Sequence, residues 1–458
     1  MATLTATATS SHAGLSPERV AGWVLGTVLS YILIFEPLLF GQSAHAELTS
    51  TINQDAAASN PLNQLFWVAC FGMAAWTGLQ RRSRLGAYLV LLWPLLFYLA
   101  WSTAGILWAL NSGIVVRRLF LQVMIIGSLL VPVAVIDEPA VLRRLVFWIF
   151  LATIAVNFVA VLTTPPTPLG HAGIYSQKNV LGMIIALGMI VCLSTLAEPR
   201  RRRAEGRWPW LGIAMGAVVL VASVSKTSIG LAILVPLACT VVIALSRAMA
   251  LRPSLVLLTA IANVVAVYIF LAGFAGLTTD KLLEIVFGDT TFTGRTDIWA
   301  FAWERFLTRP ILGHGFNGFW GAGDVSLAAL NGSGFVVMVL QAHNGYLDIL
   351  IETGIVGLCA LAALVVVSFS RYRVTFRADP WVRSFTLNVM LLFLLHNLFE
   401  SSAFRRYSIL WVMFLVAVFM VTQAYIHARR PAQAAVPDQR PVQGQPWAQT
   451  GAVRRKEA

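Results

Sequence analysis

Apolar runs of roughly 20 residues, separated by short polar joints, set the pattern of this chain. They fall at 20–40, 61–79, 85–104, 116–135, 145–163, 179–197, 208–224, 228–246 and 253–273, and again at 337–369, 384–401 and 407–426. A hydrocarbon layer takes about 20 apolar helical residues, so the pattern predicts an all-α, polytopic membrane bundle of about twelve transmembrane helices. The first run follows a Thr/Ala-rich tail ending in Arg19, and Ala44-His45-Ala46 after it resembles a signal-peptidase site. Cleavage is one reading. The run exceeds the usual signal core of ~7–15 residues, and a retained anchor is expected.

Two stretches break the pattern. Residues 274–336 form one long external loop between the ninth and tenth runs, and 427–458 carry prolines with no apolar periodicity. The chain therefore divides into a cytoplasmic tail (1–19), nine spans (20–273), the loop (274–336), three spans (337–426) and a disordered cytoplasmic extension (427–458). Inside the loop, Thr296 can cap a short helix through Thr308, with Asp297 in its first turn. Trp299, Trp303 and Phe306 recur at helical spacing, which suits a helix lying on the membrane surface. From Asn344 the pattern turns helical again, and Asn344, Asp348 and Glu352 share one face. A carboxylate facing lipid costs about 2.5–3.5 kcal/mol or more, so that face should look toward protein or water. It either orients a ligand or seals packed helices.

Composition fixes the class. A mean hydropathy of +0.76, with 58% hydrophobic and 12% charged residues, excludes an ordinary soluble domain. Cys70, Cys192, Cys239 and Cys359 fall within the apolar runs without ligand spacing and read as small buried apolar residues. The net charge of +13 sits in short arginine clusters between runs, the pattern of cytoplasmic loops rather than of a nucleic-acid surface. With a cytoplasmic start, 23 of the 33 Lys and Arg fall inside and ten outside. Those ten are Arg117, Arg118, Lys178, Lys226, Lys281, Arg295, Arg305, Arg309, Arg405 and Arg406. They are either snorkelling helix-end cations or the lining of a shared anionic site on the outer face.

Several chemistries have no support. The chain lacks a phosphate loop, a Gly-x-Gly-x-x-Gly following a strand, His-Glu-x-x-His, paired Cys-x2-Cys and any Asp-x-Asp. No metal or cofactor is expected, and a charged leaving group would be neutralised by side chains. Arginine suits that task because its planar fork grips phosphate oxygens two at a time. Polar function on the outer face gathers at Arg117-Arg118, at Gly173 to Asn179, at Ser223 to Ser228, and at His396, Asn397 and Glu400 with Arg405-Arg406. His396 and Glu400, four apart, can pair.

The chain resembles the O-antigen ligase and polymerase superfamily, which includes exopolysaccharide polymerases of the succinoglycan type. The resemblance runs from about Trp108 to Phe414 through Lys178-Asn179-Val180-Leu181-Gly182, Gly294-Arg295, Pro310-Ile311-Leu312-Gly313-His314-Gly315, Ala342-His343-Asn344 and Glu352-Thr353-Gly354. It implies a GT-C-like, inverting, metal-independent glycosyltransferase acting on undecaprenyl-pyrophosphate-linked glycan at the periplasmic face of the bacterial inner membrane. The long loop is then periplasmic. Arg295 would clamp the donor pyrophosphate, with Lys226, Lys178, Arg117 and Arg118 as further donor-binding cations. His343 would assist the acceptor hydroxyl, and Asn344, Asp348, Glu352, His314 and Glu400 would bind acceptor or support the site. Lys226 stands where arginine is common in such proteins, and Gln177 where histidine is expected. Polymerisation of lipid-linked repeats is the reading preferred, with a flippase and a chain-length regulator as candidate partners besides membrane lipid. The alternatives are a ligase moving glycan onto a lipid A core and, from another class, a solute transporter.

Overall fold

The structure is a computed structural model and describes residues 16–40, 61–198, 206–273, 295–320, 327–332 and 334–429. The signal-peptidase-like site, the arginines at 200–203 and most of the C-terminal extension lie outside these residues. So does 274–294 of the long loop.

Among the described residues the chain is helical and forms no sheet; one isolated bridge joins Thr167 and Gly170. The helices are α1 (Pro17–Ser30), α2 (Glu36–Phe40), α3 (Pro61–Gln80), α4 (Arg82–Leu91), α5 (Trp93–Ala104), α6 (Ser112–Val135), α7 (Pro139–Thr163) and α8 (Lys178–Leu196). They continue as α9 (Trp208–Ala222), α10 (Lys226–Ala248), α11 (Pro253–Gly273), α12 (Arg295–Thr308) and α13 (Leu327–Asn331). The last three are α14 (Gly345–Arg371), α15 (Pro380–His396) and α16 (Ile409–Arg429).

A helix or helix pair stands at each of the twelve expected runs. Among the described residues eight spans are long and apolar enough to cross a membrane, or nine if α4 and α5 count as one. This is a multi-pass membrane protein. The α4–α5 pair bends by 77°. Pro94 accounts for the break, since its ring clashes with the preceding turn and it lacks an N–H. α9 and α15, at 15 and 17 residues, fall short of the length of the other spans.

The core lies around α16, whose residues Ile409 to Gln423 are all buried. In its most apolar window 83% of residues are buried, against 6% in α11. An all-round apolar helix can serve either role; neighbours on every side make α16 central and leave α11 peripheral. Gln423 at the lower end of α16 donates through Nε2 to the carbonyls of Val133 and Ile136. The polar residue thus caps the end of α6 instead of standing unsatisfied.

The tenth span departs from expectation in two ways. It begins at Gly345 rather than 337, because Gly334–Met338 forms a separate 3-10 turn. It is also broken at Gly354, which sits at φ 68 and ψ −171. A break inside a buried helix frees backbone carbonyls, and leaving one unsatisfied costs about 1–3 kcal/mol. Three are met from elsewhere. His314 N–H donates to the Ile351 carbonyl at 2.8 Å, Gly315 N–H to Glu352 at 2.9 Å, and Trp101 Nε1 to Thr353 at 2.8 Å. In return Ile355 N–H donates to the Pro310 carbonyl. The Pro310 to Gly315 motif is therefore the complement of the Glu352 to Gly354 motif. A Cβ on Gly354 would come within 2.0 Å of the Ile311 carbonyl oxygen, so only glycine fits both the turn and the contact.

α12 corrects the surface-helix expectation. It starts at Arg295, one residue before the expected cap, and buries Ile298, Ala302 and Phe306. These pack with Phe319, Trp320, Ala342 and Ile351 into a second apolar core. Trp303 is half exposed, and Trp299 is bonded through Nε1 to the Ala342 carbonyl at 2.9 Å. The helix is a lid packed on the start of α14.

Candidate active site

Glu400 lies in the loop after α15, nearly buried, and three separated parts of the chain converge on its carboxylate. Arg295, the first residue of α12, donates from Nη2 to Oε1 at 2.7 Å. Asn179, in the first turn of α8, donates from Nδ2 to the same oxygen at 2.9 Å. His343 Nδ1 lies 2.8 Å from Oε2. The network continues outward: Ser225 Oγ donates to Asn179 Oδ1 at 3.2 Å and shares a hydrogen bond with Ser228 Oγ at 2.9 Å. Burial pushes the Glu400 carboxyl up, but the hydrogen bond and charge of His343, with Arg295 and His396, outweigh it and hold it below the usual range. Glu400 is therefore an anion, which can only accept. Nδ1 of His343 must therefore donate in that bond, which leaves Nε2 on the side of the ring away from Glu400.

His343 is fixed from both sides. Its backbone is left-handed, φ 51, a conformation that side-chain-bearing residues rarely adopt. Ala342 before it is pinned by its own N–H to Asp348 Oδ1 at 2.9 Å and by Trp299 to its carbonyl. Asn344 after it is the N-cap of α14, accepting from the N–H groups of Tyr346 and Leu347 at 3.1 Å each.

A second cluster lies beside the first. Arg405 donates to Asp348 Oδ2 at 2.8 Å and comes within 3.9 Å of Glu352. Glu352 Oε2 accepts from Asn317 N–H at 3.1 Å. Arg118 donates to the carbonyls of Asn317 and Trp320, and Arg117, Arg405 and Arg406 stand close enough to interact with it electrostatically. Asp348 and Glu352 are buried and engaged by protein groups, the arrangement of a polar seam.

The remaining expected site residues are more scattered. His314 is buried; its Nε2 lies 3.0 Å from the Arg305 carbonyl and 3.4 Å from Thr308 Oγ1. Burial, partly opposed by that carbonyl, lowers its pKa below 6.5 and keeps it neutral. It supports α12 rather than facing the Glu400 cluster. Lys178 is bonded through Nζ to the Leu169 carbonyl at 2.9 Å, and Lys226 is exposed at the first turn of α10. His396 does not take Glu400 as its side-chain partner. Its Nδ1 lies 3.0 Å from Ser402 Oγ, while Glu400 turns to Arg295 and His343. Sequence reasoning missed the roles of Asn179, Ser225 and Arg405. The first two stand inside the motifs singled out, but no local spacing indicates that they meet.

Residues 211–362 match the family model described as O-antigen ligase. Over that third of its length the chain is similar to the O-antigen ligase family. The matched stretch contains Ser225, Arg295 and His343, while Asn179 and Glu400 lie to either side of it. The exopolysaccharide production protein ExoQ of Rhizobium meliloti is 28% identical over 211 residues, 43% of this chain and 45% of the relative. A Rickettsia conorii protein provisionally named a polysaccharide ligase is 36% identical over 73 residues, 16% of this chain and 18% of that one. The chain thus spans less than half the length of each relative.

Proposed function

We propose that this protein is a glycosyltransferase that polymerises undecaprenyl-pyrophosphate-linked oligosaccharide repeats at the periplasmic face of the inner membrane. The observation that carries this reading is the single carboxylate, Glu400, holding both Arg295 and His343. A cation and a base fixed on one anion suit a reaction in which one bond to a pyrophosphate breaks while a hydroxyl loses its proton.

In the proposed step an acceptor hydroxyl attacks the anomeric carbon of the donor glycan from the face opposite the leaving group, inverting it. The bond from that carbon to the pyrophosphate oxygen breaks. Arg295 offsets the charge gathering on the departing lipid pyrophosphate, a contribution largest in a water-poor site. His343 Nε2 takes the hydroxyl proton as the new bond forms, worth about 10²–10⁴-fold in rate. Glu400 holds the imidazole tautomer and stabilises the imidazolium that results. Lys178, Lys226, Arg117 and Arg118 add positive potential for the donor, and Asn344 with the Asp348–Glu352 seam supports the acceptor side. The neutralising is done by arginine and lysine, without a metal.

The family description and the Rickettsia relative support a second reading, ligation of finished glycan onto a lipid A core. The match to an exopolysaccharide production protein over the longer stretch supports polymerisation. A deletion strain separates the two. Polymerisation predicts that single lipid-linked repeats accumulate, and ligation that long lipid-linked chains do. Complementation should succeed with the wild-type gene and fail with Arg295→Lys, which keeps the charge but loses the fork. No change in glycan would overturn both.

A further inference from the structure

At the far end of α14, some 27 residues and roughly 40 Å of helix from His343, lies a cavity of about 680 Å³. Five arginines from four parts of the chain line it: Arg252 before α11, Arg371 at the end of α14, Arg373 and Arg377 in the 3-10 turn Tyr372–Arg377, and Arg429 at the end of α16. No carboxylate lines it, and among the described residues none of the five is ion-paired. Asp379, two residues after Arg377, does not line the cavity and caps α15 by accepting from Trp381 N–H at 2.8 Å.

Two of the cations have ordinary structural work. Arg371 donates to the Leu91 carbonyl at 2.8 Å, and Arg371 and Arg429 both lie over the ring of Tyr425, at 5.3 and 4.4 Å. Cations near helix C-termini also offset the helix dipole. The dipole also accounts for Arg377 at the end of its 3-10 turn; neither explanation reaches Arg252 and Arg373, and all three are exposed. A charge bias between the two sides of a membrane accounts for their sign. It does not account for their convergence on one concave space whose walls also include the apolar Leu251, Val374 and Phe376.

We propose that this cavity binds the phosphodiester headgroup of an anionic membrane phospholipid, separately from the glycan substrate. Arginine forks match phosphate oxygens, and a basic cavity at the ends of spanning helices with an apolar wall fits a lipid whose glycerol and first acyl carbons follow the phosphate. The site would tie the lower ends of α10, α11, α14 and α16 together, where five like charges otherwise repel.

The test uses full-length protein in neutral detergent, titrated with short-chain phosphatidylglycerol or phosphatidylcholine and read by native mass spectrometry. The wild type should retain phosphatidylglycerol in preference to phosphatidylcholine. The combined Arg252→Gln, Arg373→Gln and Arg377→Gln variant should weaken that retention about a hundredfold. A control variant combines Arg19→Gln, Arg82→Gln and Arg144→Gln. It removes three charges from the same end of the bundle, which the Arg81–Glu18 and Arg84–Asp137 pairs and the His427–Asp137 contact mark as one face. The control should change retention less than about threefold. The corresponding triple lysine variant of the cavity should recover most of the binding, separating loss of the site from loss of fold. Equal losses in cavity and control variants, or unchanged retention in the cavity variant, would overturn the proposal. Displacement of the lipid by inorganic phosphate at comparable concentration would identify free phosphate as the ligand and overturn it too.

Discussion

Asn179 and Glu400, 221 residues apart in the chain, are joined by a 2.9 Å hydrogen bond that closes the upper end of the bundle. Through it the first turn of α8 is locked to the loop that holds Arg295 and His343. The link sets the first prediction. Glu400→Gln keeps the shape but removes the anion, and an amide can offer His343 either a donor or an acceptor. The imidazole then loses its fixed tautomer, and transfer should fall by about 10²-fold or more at unchanged protein abundance. Turnover of purified protein on a defined donor and acceptor measures this. Undiminished turnover would reduce Glu400 to a packing residue.

The break in α14 gives a prediction about stability. Gly354→Ala places a side chain at φ 68 and drives it into the Ile311 carbonyl, so it should lower stability by more than the ~1 kcal/mol that alanine adds where a glycine's φ is permitted. Trp101→Phe removes the donor to the Thr353 carbonyl alone and should cost about 1–3 kcal/mol. Thermal unfolding in detergent should rank the two variants below wild type, with Gly354→Ala lowest. A wild-type melting temperature in Gly354→Ala would mean that loop and helix are not coupled as described.

These motifs show how much of the fold and site the sequence made legible. A helix or helix pair stands at each expected run, and the eight or nine spanning helices among the described residues follow from the 20-residue apolar period, because burial in lipid imposes that length locally. Arg295, His343, Asp348 and Glu352 stand out for a related reason: an ionisable group in so apolar a chain needs a partner. Which partner it finds is a matter of tertiary packing. His396 and Glu400 have the spacing to pair, yet Glu400 faces a histidine 57 residues away and an arginine 105 away. The break at Gly354 was equally hidden, since Glu-Thr-Gly inside an apolar run reads as continuous helix until the Pro310 loop is laid against it.

Acid should destabilise the protein in two steps. His314 has a folded pKa below 6.5 because it is buried, so the unfolded chain binds its proton first as pH falls. Its contribution is complete above about 6.5 and is lost as pH drops toward the folded value. Glu400, held below 4.5, contributes above 4.5 and is lost lower still. Melting temperature against pH should therefore decline first just below 6.5, and His314→Gln should remove part of that first decline while leaving the second. An unchanged profile in His314→Gln would show that another group titrates there.

Orientation can be tested at two exposed serines. Ser176, before α8, belongs to the His343 end of the bundle, and Ser83, at the start of α4, to the arginine-rich end. With the four native cysteines replaced, Ser176→Cys in intact cells stripped of their outer barrier should react with a membrane-impermeant maleimide. Ser83→Cys should react only after the inner membrane is opened. The opposite pattern would put the candidate site on the cytoplasmic side and remove a periplasmic glycan transfer.

The last prediction separates catalysis from architecture at His343. Its left-handed backbone, its bond to Glu400 and the pinned residues on both sides could all serve only to shape the loop over α14. They also leave Nε2 as the ring nitrogen free of the Glu400 contact, which is what a general base requires. His343→Asn distinguishes the two, because asparagine tolerates a left-handed backbone and can still donate to Glu400, while nothing replaces Nε2. A shaping role therefore predicts near-normal transfer in His343→Asn. A proton-accepting role predicts a loss of about 10²–10⁴-fold in turnover with donor affinity kept within a few fold, since Arg295 and Glu400 remain paired. Donor binding measured separately from single-turnover transfer decides between them. Turnover near wild type in His343→Asn would assign His343 to the loop, and loss of donor binding along with turnover would point to a collapsed site rather than a missing base.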